Sequence, residues 1–227
     1  MHSPIAALSF DLDDTFWDSL PVLARAEMRL RDYLRQNYPR IVEHYHNRDV
    51  RQIMLEATEH AGKHSHDVTA LRKIALTLAA RRANYGAELV ELAFAEFFVA
   101  RNQVQLYPDV HSTLSALAER FPLASVTNGN ADIGLVGLQH YFRVSLSPIS
   151  IGKAKPAPEI FHAACAALAV DPAQTAHIGD DPLMDVVGAQ DAGLRAIWFN
   201  PSGRPWLGKK PPDAEIRCLA DLLVLLS

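Results

Sequence analysis

Apolar and polar positions alternate in two different ways along the chain. Residues 5–10 form an apolar run without helical period, which predicts a fully buried strand of a parallel sheet. Similar short runs predict further strands at 123–127, 144–147, 175–179 and 195–199. Amphipathic spacing predicts helices between and after these runs, over 110–120, 159–168, 182–192 and 219–226. Strands that alternate with helices in this way indicate an α/β fold with a parallel sheet and right-handed crossovers.

Helical spacing alone fills the interval between the first strand and residue 105. Apolar positions share one face from Leu23 to Leu34, and Pro39 interrupts that helix. Further helices are predicted over 50–60, over 71–78 with Asp67 as the N-cap, and over 88–104. The pattern therefore predicts two domains. Residues 17–104 form an all-helical insertion, and residues 1–16 together with 105–227 form the α/β domain.

Composition narrows the class of protein. A formal net charge of -4 and a pI near 6.2 give no reason to expect binding to nucleic acid or to a membrane surface. The N-terminus lacks the basic region and long apolar core of a secretion signal, and no stretch approaches a membrane span. Cys165 and Cys218 lie in apolar helical patterns outside any metal-spacing motif, and we expect buried free thiols in a reducing compartment. A cytoplasmic protein is predicted.

Polar side chains cluster in the segments that follow the predicted strands. They are Asp11 and Asp13, Thr127 and Asn128, Lys155, and Asp180 with Asp185. Each has a simpler explanation when taken alone, because aspartate and threonine are ordinary turn and capping residues and most lysines lie at the surface. Ligands of open α/β sheets, however, bind outside the carboxyl ends of the strands. If the strands are parallel neighbours, these groups meet at one edge of the sheet.

Carboxylates gathered at one edge repel one another, and one lysine cannot balance them. Either some of their pKa values rise or a divalent cation lies among them. Oxygen ligands without histidine or cysteine favour Mg²⁺. We expect Asp180 to bind the metal directly and Asp185 to hold a metal-bound water or Lys155. Asp181 precedes Pro182 and is predicted to be a helix N-cap.

Four segments resemble, in the same order, the four motifs of the haloacid dehalogenase-like (HAD) superfamily. They read Asp-Leu-Asp-Asp-Thr, Ser-Val-Thr-Asn-Gly-Asn, Lys-Pro-Ala-Pro-Glu-Ile-Phe and His-Ile-Gly-Asp-Asp-Pro-Leu-Met-Asp-Val. The resemblance implies a Rossmann-like core with a helical cap inserted after the first motif. It also implies that Asp11 is a nucleophile, that Asp13 is a general acid/base, and that Asp11, the Asp13 carbonyl and Asp180 bind magnesium.

These roles describe hydrolysis of a phosphate ester through an aspartyl-phosphate. Asp13 would protonate the leaving oxygen and later deprotonate the attacking water. Lys155, Thr127 and Asn128 would hold the phosphate oxygens and, with the metal, supply the positive field that phosphoryl transfer needs.

Three other functions are possible on the same core: a dehalogenase, a catalytically silent binding module, and a phosphotransferase or mutase. Dehalogenases of the superfamily use the same nucleophile but lack the second aspartate and need no metal, so Asp13 argues against that activity. A catalytically silent binding module would be expected to have lost one of the four motif residues, and Asp11, Asp13, Lys155 and Asp180 are all present. A phosphotransferase or mutase acting on sugar phosphates is not distinguished, because only the cap decides whether water or a sugar hydroxyl attacks.

The cap sequence bears on the substrate. Residues 11–19 and 66–72 resemble bacterial HAD phosphatases that act on FMN and on 5-amino-6-(5-phospho-D-ribitylamino)uracil in riboflavin biosynthesis. A small-molecule phosphate ester is therefore the expected substrate, and a monomer or weak homodimer is the expected state. Arg72, with Lys73, His64 and His66, can face an anionic or aromatic ligand or belong to a solvated helix face. Of these, Arg72 is the predicted substrate-binding residue.

Overall fold

The computed structural model describes residues 4–45, 50–62 and 65–227. Internal contacts divide these described residues into two compact units, Met1–Asp18 with Gln105–Ser227, and Ser19–Val104. We call the first the α/β unit and the second the helical unit. The division lies close to the positions at which the sequence pattern changes.

The described part of the α/β unit contains a six-stranded parallel sheet in the order β3-β2-β1-β4-β5-β6. The strands are β1 (Ala7–Phe10), β2 (Leu123–Val126), β3 (Val144–Leu146), β4 (Thr175–Gly179), β5 (Arg195–Phe199) and β6 (Ala214–Ile216). The first strand is central, and every residue of β1, β2 and β4 is buried, as the unbroken apolar runs predict. The predicted α/β fold with a parallel sheet is confirmed.

Helices of the α/β unit connect these strands. They are α6 (Val110–Ala118), α7 (Ile133–Val136), α8 (Pro148–Ile151), α9 (Pro158–Leu168), α10 (Gly188–Asp191) and α11 (Asp221–Leu225), and a π-helical segment, Pro182–Val187, leads directly into α10. The apolar face of α9 packs on the sheet through Ile160, Phe161 and Leu168. This packing fixes the loop before α9, which carries Lys155.

The helical unit consists of α1 (Ser19–Asn37), α2 (Pro39–Tyr45), α3 (Val50–Ala61), α4 (Val68–Arg82) and α5 (Leu89–Arg101) among the residues described. Leu30, Leu76 and Phe97 belong to one apolar cluster, and Ile53 and Leu71 belong to another. The stretches with helical spacing are therefore helices α1, α3, α4 and α5 in the structure. Within the described residues, no helix is long and apolar enough to span a bilayer.

Some local features differ from the expectations. Pro39 interrupts the helical run as predicted and also begins α2, because proline fits the first position of a helix, where its missing N–H has no partner to lose. The strand β6 has no counterpart among the predicted strands, since only Ile216 of its three residues is buried and gives an apolar signal. Cys165 is buried as expected, but Cys218 is exposed and precedes α11. The predicted burial of both thiols therefore fails for Cys218.

The N-cap of α4 gives a test of the fold. Asp67 accepts hydrogen bonds from the N–H groups of Thr69 (2.8 Å) and Ala70 (3.0 Å) through the same carboxylate oxygen. Asp67→Ala should lower the free energy of unfolding by about 1 kcal/mol, because both donors lose their partner. Asp67→Ser, which keeps an accepting oxygen, should recover most of that loss. Chemical denaturation of both variants measures this, and equal stabilities would contradict the cap.

Candidate active site

The chain reverses direction immediately after β1. Asp11 extends the ladder by donating its N–H to the carbonyl of Ile178 on β4 (2.9 Å). Asp14 then adopts a left-handed backbone conformation with φ 58° and donates its N–H to the carbonyl of Trp17 (2.8 Å). Aspartate tolerates that region better than most residues. The tight turn therefore keeps Asp13 next to the nucleophile candidate.

Trp17 holds the side chain of Asp13. Its indole Nε1–H donates to Asp13 Oδ1 at 2.9 Å, and the indole itself is fully buried. Because a rigid, packed ring fixes one carboxylate oxygen, the Asp13 carboxyl has a defined orientation. Trp17 lies outside the four motif segments, and sequence reasoning did not identify it.

Lys155 is placed by its backbone. The side chain of Asn128 donates from Nδ2 to the Lys155 carbonyl (2.9 Å) and accepts the Lys155 N–H through Oδ1 (2.8 Å). This double hydrogen bond ties the turn after β2 to the loop before α9. The side-chain amide of Asn128 is therefore used on Lys155. The predicted contact of Asn128 with a phosphate stays a prediction. The backbone N–H groups of the turn, and not this side chain, are the donors available for it.

The ammonium of Lys155 lies between two carboxylates. Its Nζ donates to Asp11 Oδ1 and to Asp185 Oδ1, each at 2.6 Å, and the residue is only 4% exposed. Burial alone lowers the pKa of an ammonium, but the charges of Asp11 and Asp185 outweigh it and raise the pKa of Lys155 above its ordinary value. The lysine is thus charged.

Asp185 accepts three hydrogen bonds. Besides Lys155, His177 Nε2 lies 3.1 Å from Oδ1, and the N–H of Asp181 donates to Oδ2 at 2.9 Å. Burial opposes ionisation, but the charge of Lys155 and the bond to His177 lower the pKa of Asp185. An ionised carboxylate whose two oxygens already have partners fits the predicted role of holding Lys155. Asp181 also accepts the N–H groups of Leu183 and Met184, both at 2.8 Å, which confirms its predicted N-cap.

Thr127 ends β2 and begins the Asn-Gly-Asn turn. Its N–H donates to the carbonyl of Leu146 (3.1 Å), and its hydroxyl oxygen accepts the N–H of Gly129 (3.0 Å). Thr127 is buried at 2% exposure. The hydroxyl oxygen of Thr127 therefore stabilises the turn. The described contacts show no acceptor for its hydroxyl hydrogen.

Asp180 completes the acidic edge. One carboxylate oxygen from each of Asp11, Asp180 and Asp185 lies within 4.8 Å of the other two. Burial, with the charges of Asp185 and Asp14, raises the pKa of Asp180 to about 7. Burial also raises the pKa of Asp11, although Lys155 opposes this. Burial, more than the neighbouring charges, makes both carboxyl groups resist ionisation.

These residues fit a divalent cation. A cation at the edge would favour the ionised forms of Asp11 and Asp180 and so lower their pKa values. The donors are carboxylate oxygens, which suit Mg²⁺. Asp11 and Asp180 are the better ligands, because the oxygens of Asp185 are already engaged.

The structure also contains two buried polar residues that the sequence analysis missed. His177 and Ser9 lie opposite each other on β4 and β1, and the hydroxyl of Ser9 is 2.9 Å from His177 Nδ1. A histidine inside an otherwise apolar strand is the signal that was available. His177 is the first residue of the fourth motif segment, but its partner Ser9 on β1 follows only from the strand register.

Arg72 lies in the helical unit and has partners there. Its guanidinium forms an ion pair with Glu27 and stacks over the ring of Phe97, with 4.1 Å between Cζ and the ring centroid. Lys73 pairs with Glu91 at 2.7 Å and lies over the ring of Phe94. These contacts give both residues a structural role. Their assignment to the substrate stays a prediction, and His64 lies outside the described residues.

A comparison with protein families matches residues 5–193 to a model described as haloacid dehalogenase-like hydrolase. This span includes every residue of the acidic edge and the whole helical unit.

Some of the similar proteins are named as phosphatases, and others are described as haloacid dehalogenases. The 5-amino-6-(5-phospho-D-ribitylamino)uracil phosphatase YigB of Escherichia coli is 33% identical over 98% of this chain and 96% of that protein. The phosphoserine phosphatase of Thermus thermophilus is 36% identical over 59% of this chain and 56% of its own length. A crystal structure described as 2-haloacid dehalogenase from Pseudomonas syringae superposes with a TM-score of 0.92 at 38% identity, covering 98% of both chains.

The contacts of Arg72 predict a stability effect. Arg72→Ala should lower the free energy of unfolding by about 1 kcal/mol or more, since a partly buried guanidinium loses both its ion pair and its ring contact. Arg29→Ala is the matched control. It removes an ion pair with Glu96 in which Arg29 is 51% exposed, and it should cost less than about 0.5 kcal/mol. If denaturation shows Arg72→Ala to be as mild as Arg29→Ala, the contacts described here do not stabilise the unit.

Proposed function

Because the chain belongs to the haloacid dehalogenase-like hydrolase family, we propose that it hydrolyses small phosphate esters through an aspartyl-phosphate on Asp11, with magnesium. At the coarser level it is a phosphatase of this family, since the Escherichia coli relative that matches nearly its full length is one. One observation carries the chemical proposal. Lys155 Nζ lies 2.6 Å from the Asp11 carboxylate, beside the acidic group formed with Asp180.

Asp11 is the nucleophile in this proposal. Lys155 binds Oδ1, so the carboxylate is held in one orientation while it attacks phosphorus. The bond from phosphorus to the ester oxygen breaks as the bond to Asp11 forms. A carboxylate nucleophile divides one difficult displacement into two easier ones.

Asp13 moves the proton in both steps. Its carboxyl group, oriented by Trp17, gives a proton to the departing ester oxygen. The resulting carboxylate then takes a proton from the water that attacks phosphorus, and the bond to Asp11 breaks. The cycle returns both aspartates to their starting states.

The phosphate oxygens are held by the lysine and by the turn after β2. Lys155 supplies the positive charge, and the Thr127 hydroxyl can donate its hydrogen, because its oxygen accepts only from Gly129 in the described contacts. The N–H groups of the turn at Asn128 add further donors.

Asp11, Asp180 and, by the family resemblance, the Asp13 carbonyl are the residues that would hold Mg²⁺. When bound, the ion neutralises charge that develops on the transferring phosphoryl group. Asp185 keeps Lys155 in place and is not proposed as a direct ligand.

A dehalogenase is the second candidate, because the crystal structure from Pseudomonas syringae carries that description. It would use Asp11 to displace a halide from carbon. The presence of Asp13, fixed by Trp17, favours the phosphatase, since the family resemblance implies that dehalogenases of the superfamily lack the second aspartate. Release of halide from a 2-haloacid, at a rate above that of phosphate release, would reverse this preference.

The natural substrate is proposed by likeness to relatives. FMN and 5-amino-6-(5-phospho-D-ribitylamino)uracil are the first compounds to assay, which would place the enzyme in riboflavin biosynthesis in the cytoplasm. Transfer to a sugar hydroxyl, as in a mutase, is the alternative outcome.

We propose the helical unit as the cap that selects the substrate, because it is inserted directly after the turn that carries Asp13. A monomer or weak homodimer without nucleic-acid or membrane partners completes the proposal.

Metal removal tests the cofactor. Chelation by EDTA should abolish phosphate release, because no cation then offsets the carboxylates when the anionic substrate and its transition state occupy the edge. An excess of Mg²⁺ should restore it, whereas Ca²⁺, which prefers longer bonds and more ligands, should not. Full turnover in the presence of the chelator would contradict the magnesium proposal.

Substitution of the two aspartates tests their roles. Asp11→Asn should reduce kcat by roughly 10³-fold or more, since an amide is a poor nucleophile. Asp13→Asn should still form the aspartyl-phosphate from an ester with a good leaving group but hydrolyse it slowly. Acid quenching after reaction with a radiolabelled ester shows whether the adduct accumulates.

Asp14→Asn is the matched control for these variants. It removes a carboxylate from the same turn, and asparagine accepts the same left-handed backbone conformation. It should retain most of the activity. Label on a residue other than Asp11 would refute the proposed nucleophile.

A further inference from the structure

A buried line of polar groups runs behind the acidic edge. Ser9 Oγ lies 2.9 Å from His177 Nδ1, and His177 Nε2 lies 3.1 Å from Asp185 Oδ1. That same carboxylate oxygen accepts from Lys155, which in turn donates to Asp11. Ser9, His177 and Asp185 are each at most 2% exposed. The line therefore connects the paired residues Ser9 and His177 of two neighbouring strands to Asp11 through buried side chains.

The hydrogen-bond partners determine which nitrogen of His177 carries the proton. The Asp185 carboxylate is ionised and offers only acceptors, so Nε2 must donate to it. Burial lowers the pKa of His177, which favours the neutral ring. In a neutral ring with Nε2–H, Nδ1 has a lone pair and accepts from the Ser9 hydroxyl. Each group in the line then has a partner of the correct kind.

Packing holds the ring in this position. Phe161 of α9 contacts the imidazole edge to face, with 5.0 Å between the ring centroids. On the other side of Asp185, a Cβ at Gly179 would lie 2.3 Å from the carboxylate carbon, so the strand allows no side chain there. The carboxylate is thus confined between the backbone of β4 and the imidazole.

We propose that His177 is a positioning residue for the phosphatase reaction, and that Ser9, by donating to Nδ1, supports the tautomer that Asp185 selects. Its Nε2–H fixes Asp185 Oδ1, which fixes the Lys155 ammonium against Asp11. In the opposite tautomer an Nε2 lone pair would face the carboxylate oxygen and push it away from this position. The inference rests on the proposed function at one point, namely that Lys155 takes part in the phosphatase reaction.

The tautomer can be measured in the wild-type protein without any assay of activity. Nuclear magnetic resonance with isotope-labelled histidine, assigned by the signal that disappears in His177→Gln, should show Nε2 protonated and Nδ1 unprotonated. A ring protonated at Nδ1, with or without Nε2, would overturn the inference. This result is independent of whether the proposed phosphatase function is correct.

Kinetics test the positioning role. His177→Phe keeps a ring but removes the donor, and it should lower kcat about 10-fold or more while KM changes less than about twofold. His177→Gln retains an N–H that reaches Asp185 and should recover most of the loss. If His177→Phe turns over within about twofold of wild type, or glutamine gives no more rescue than phenylalanine, the proposal fails.

Ser9→Ala serves if the histidine variants do not fold. It should lower kcat measurably and weaken the preference for the Nε2–H tautomer. Ser125→Ala is its matched control, because Ser125 is an equally buried serine on the adjacent strand whose hydroxyl bonds Ser145 at 2.7 Å. Ser125→Ala should leave kcat unchanged. Equal rates for the two serine variants would reject the role of Ser9.

Discussion

The ammonium of Lys155 between Asp11 and Asp185 is the interaction on which the active edge depends. Burying charged groups costs free energy unless each finds a close partner, and the two 2.6 Å contacts provide this. Two neighbouring features hold Lys155 in position. The side chain of Asn128 binds both the N–H and the carbonyl of Lys155. A Cβ at position 188 would lie 2.9 Å from Pro156, so only glycine lets the loop that carries Lys155 approach this helix.

This pairing leaves little positive charge for an incoming anion. Lys155 is already shared by two carboxylates, while the pKa of Asp180 is raised to about 7 and that of Asp11 is raised as well. A phosphate ester would add further negative charge to the same place. In the proposed mechanism the chain therefore supplies ligands and orientation, and the proposed cation supplies most of the remaining positive field.

The sequence predicts the sheet and its acidic edge well, because buried strands give unbroken apolar runs and parallel strands end at one side. It does not predict His177, since its importance depends on the register that places it opposite Ser9. Trp17 was missed for a similar reason: its indole reaches Asp13 only through the turn at Asp14. Arg72 shows the reverse problem, because a pattern of residues does not reveal that Glu27 and Phe97 already engage its guanidinium.

Relatives named for phosphate esters and for haloacids share this scaffold, so the fold alone does not choose between the two reactions. The difference lies in the leaving group. A halide departs as a stable anion and needs no proton, whereas an alkoxide leaving phosphorus is strongly basic and must be protonated. A carboxyl group two residues from Asp11, the proposed nucleophile, and held by a buried indole at 2.9 Å has no task in the first reaction. In the second it supplies the proton, and for this reason the Asp13–Trp17 contact favours phosphate ester hydrolysis.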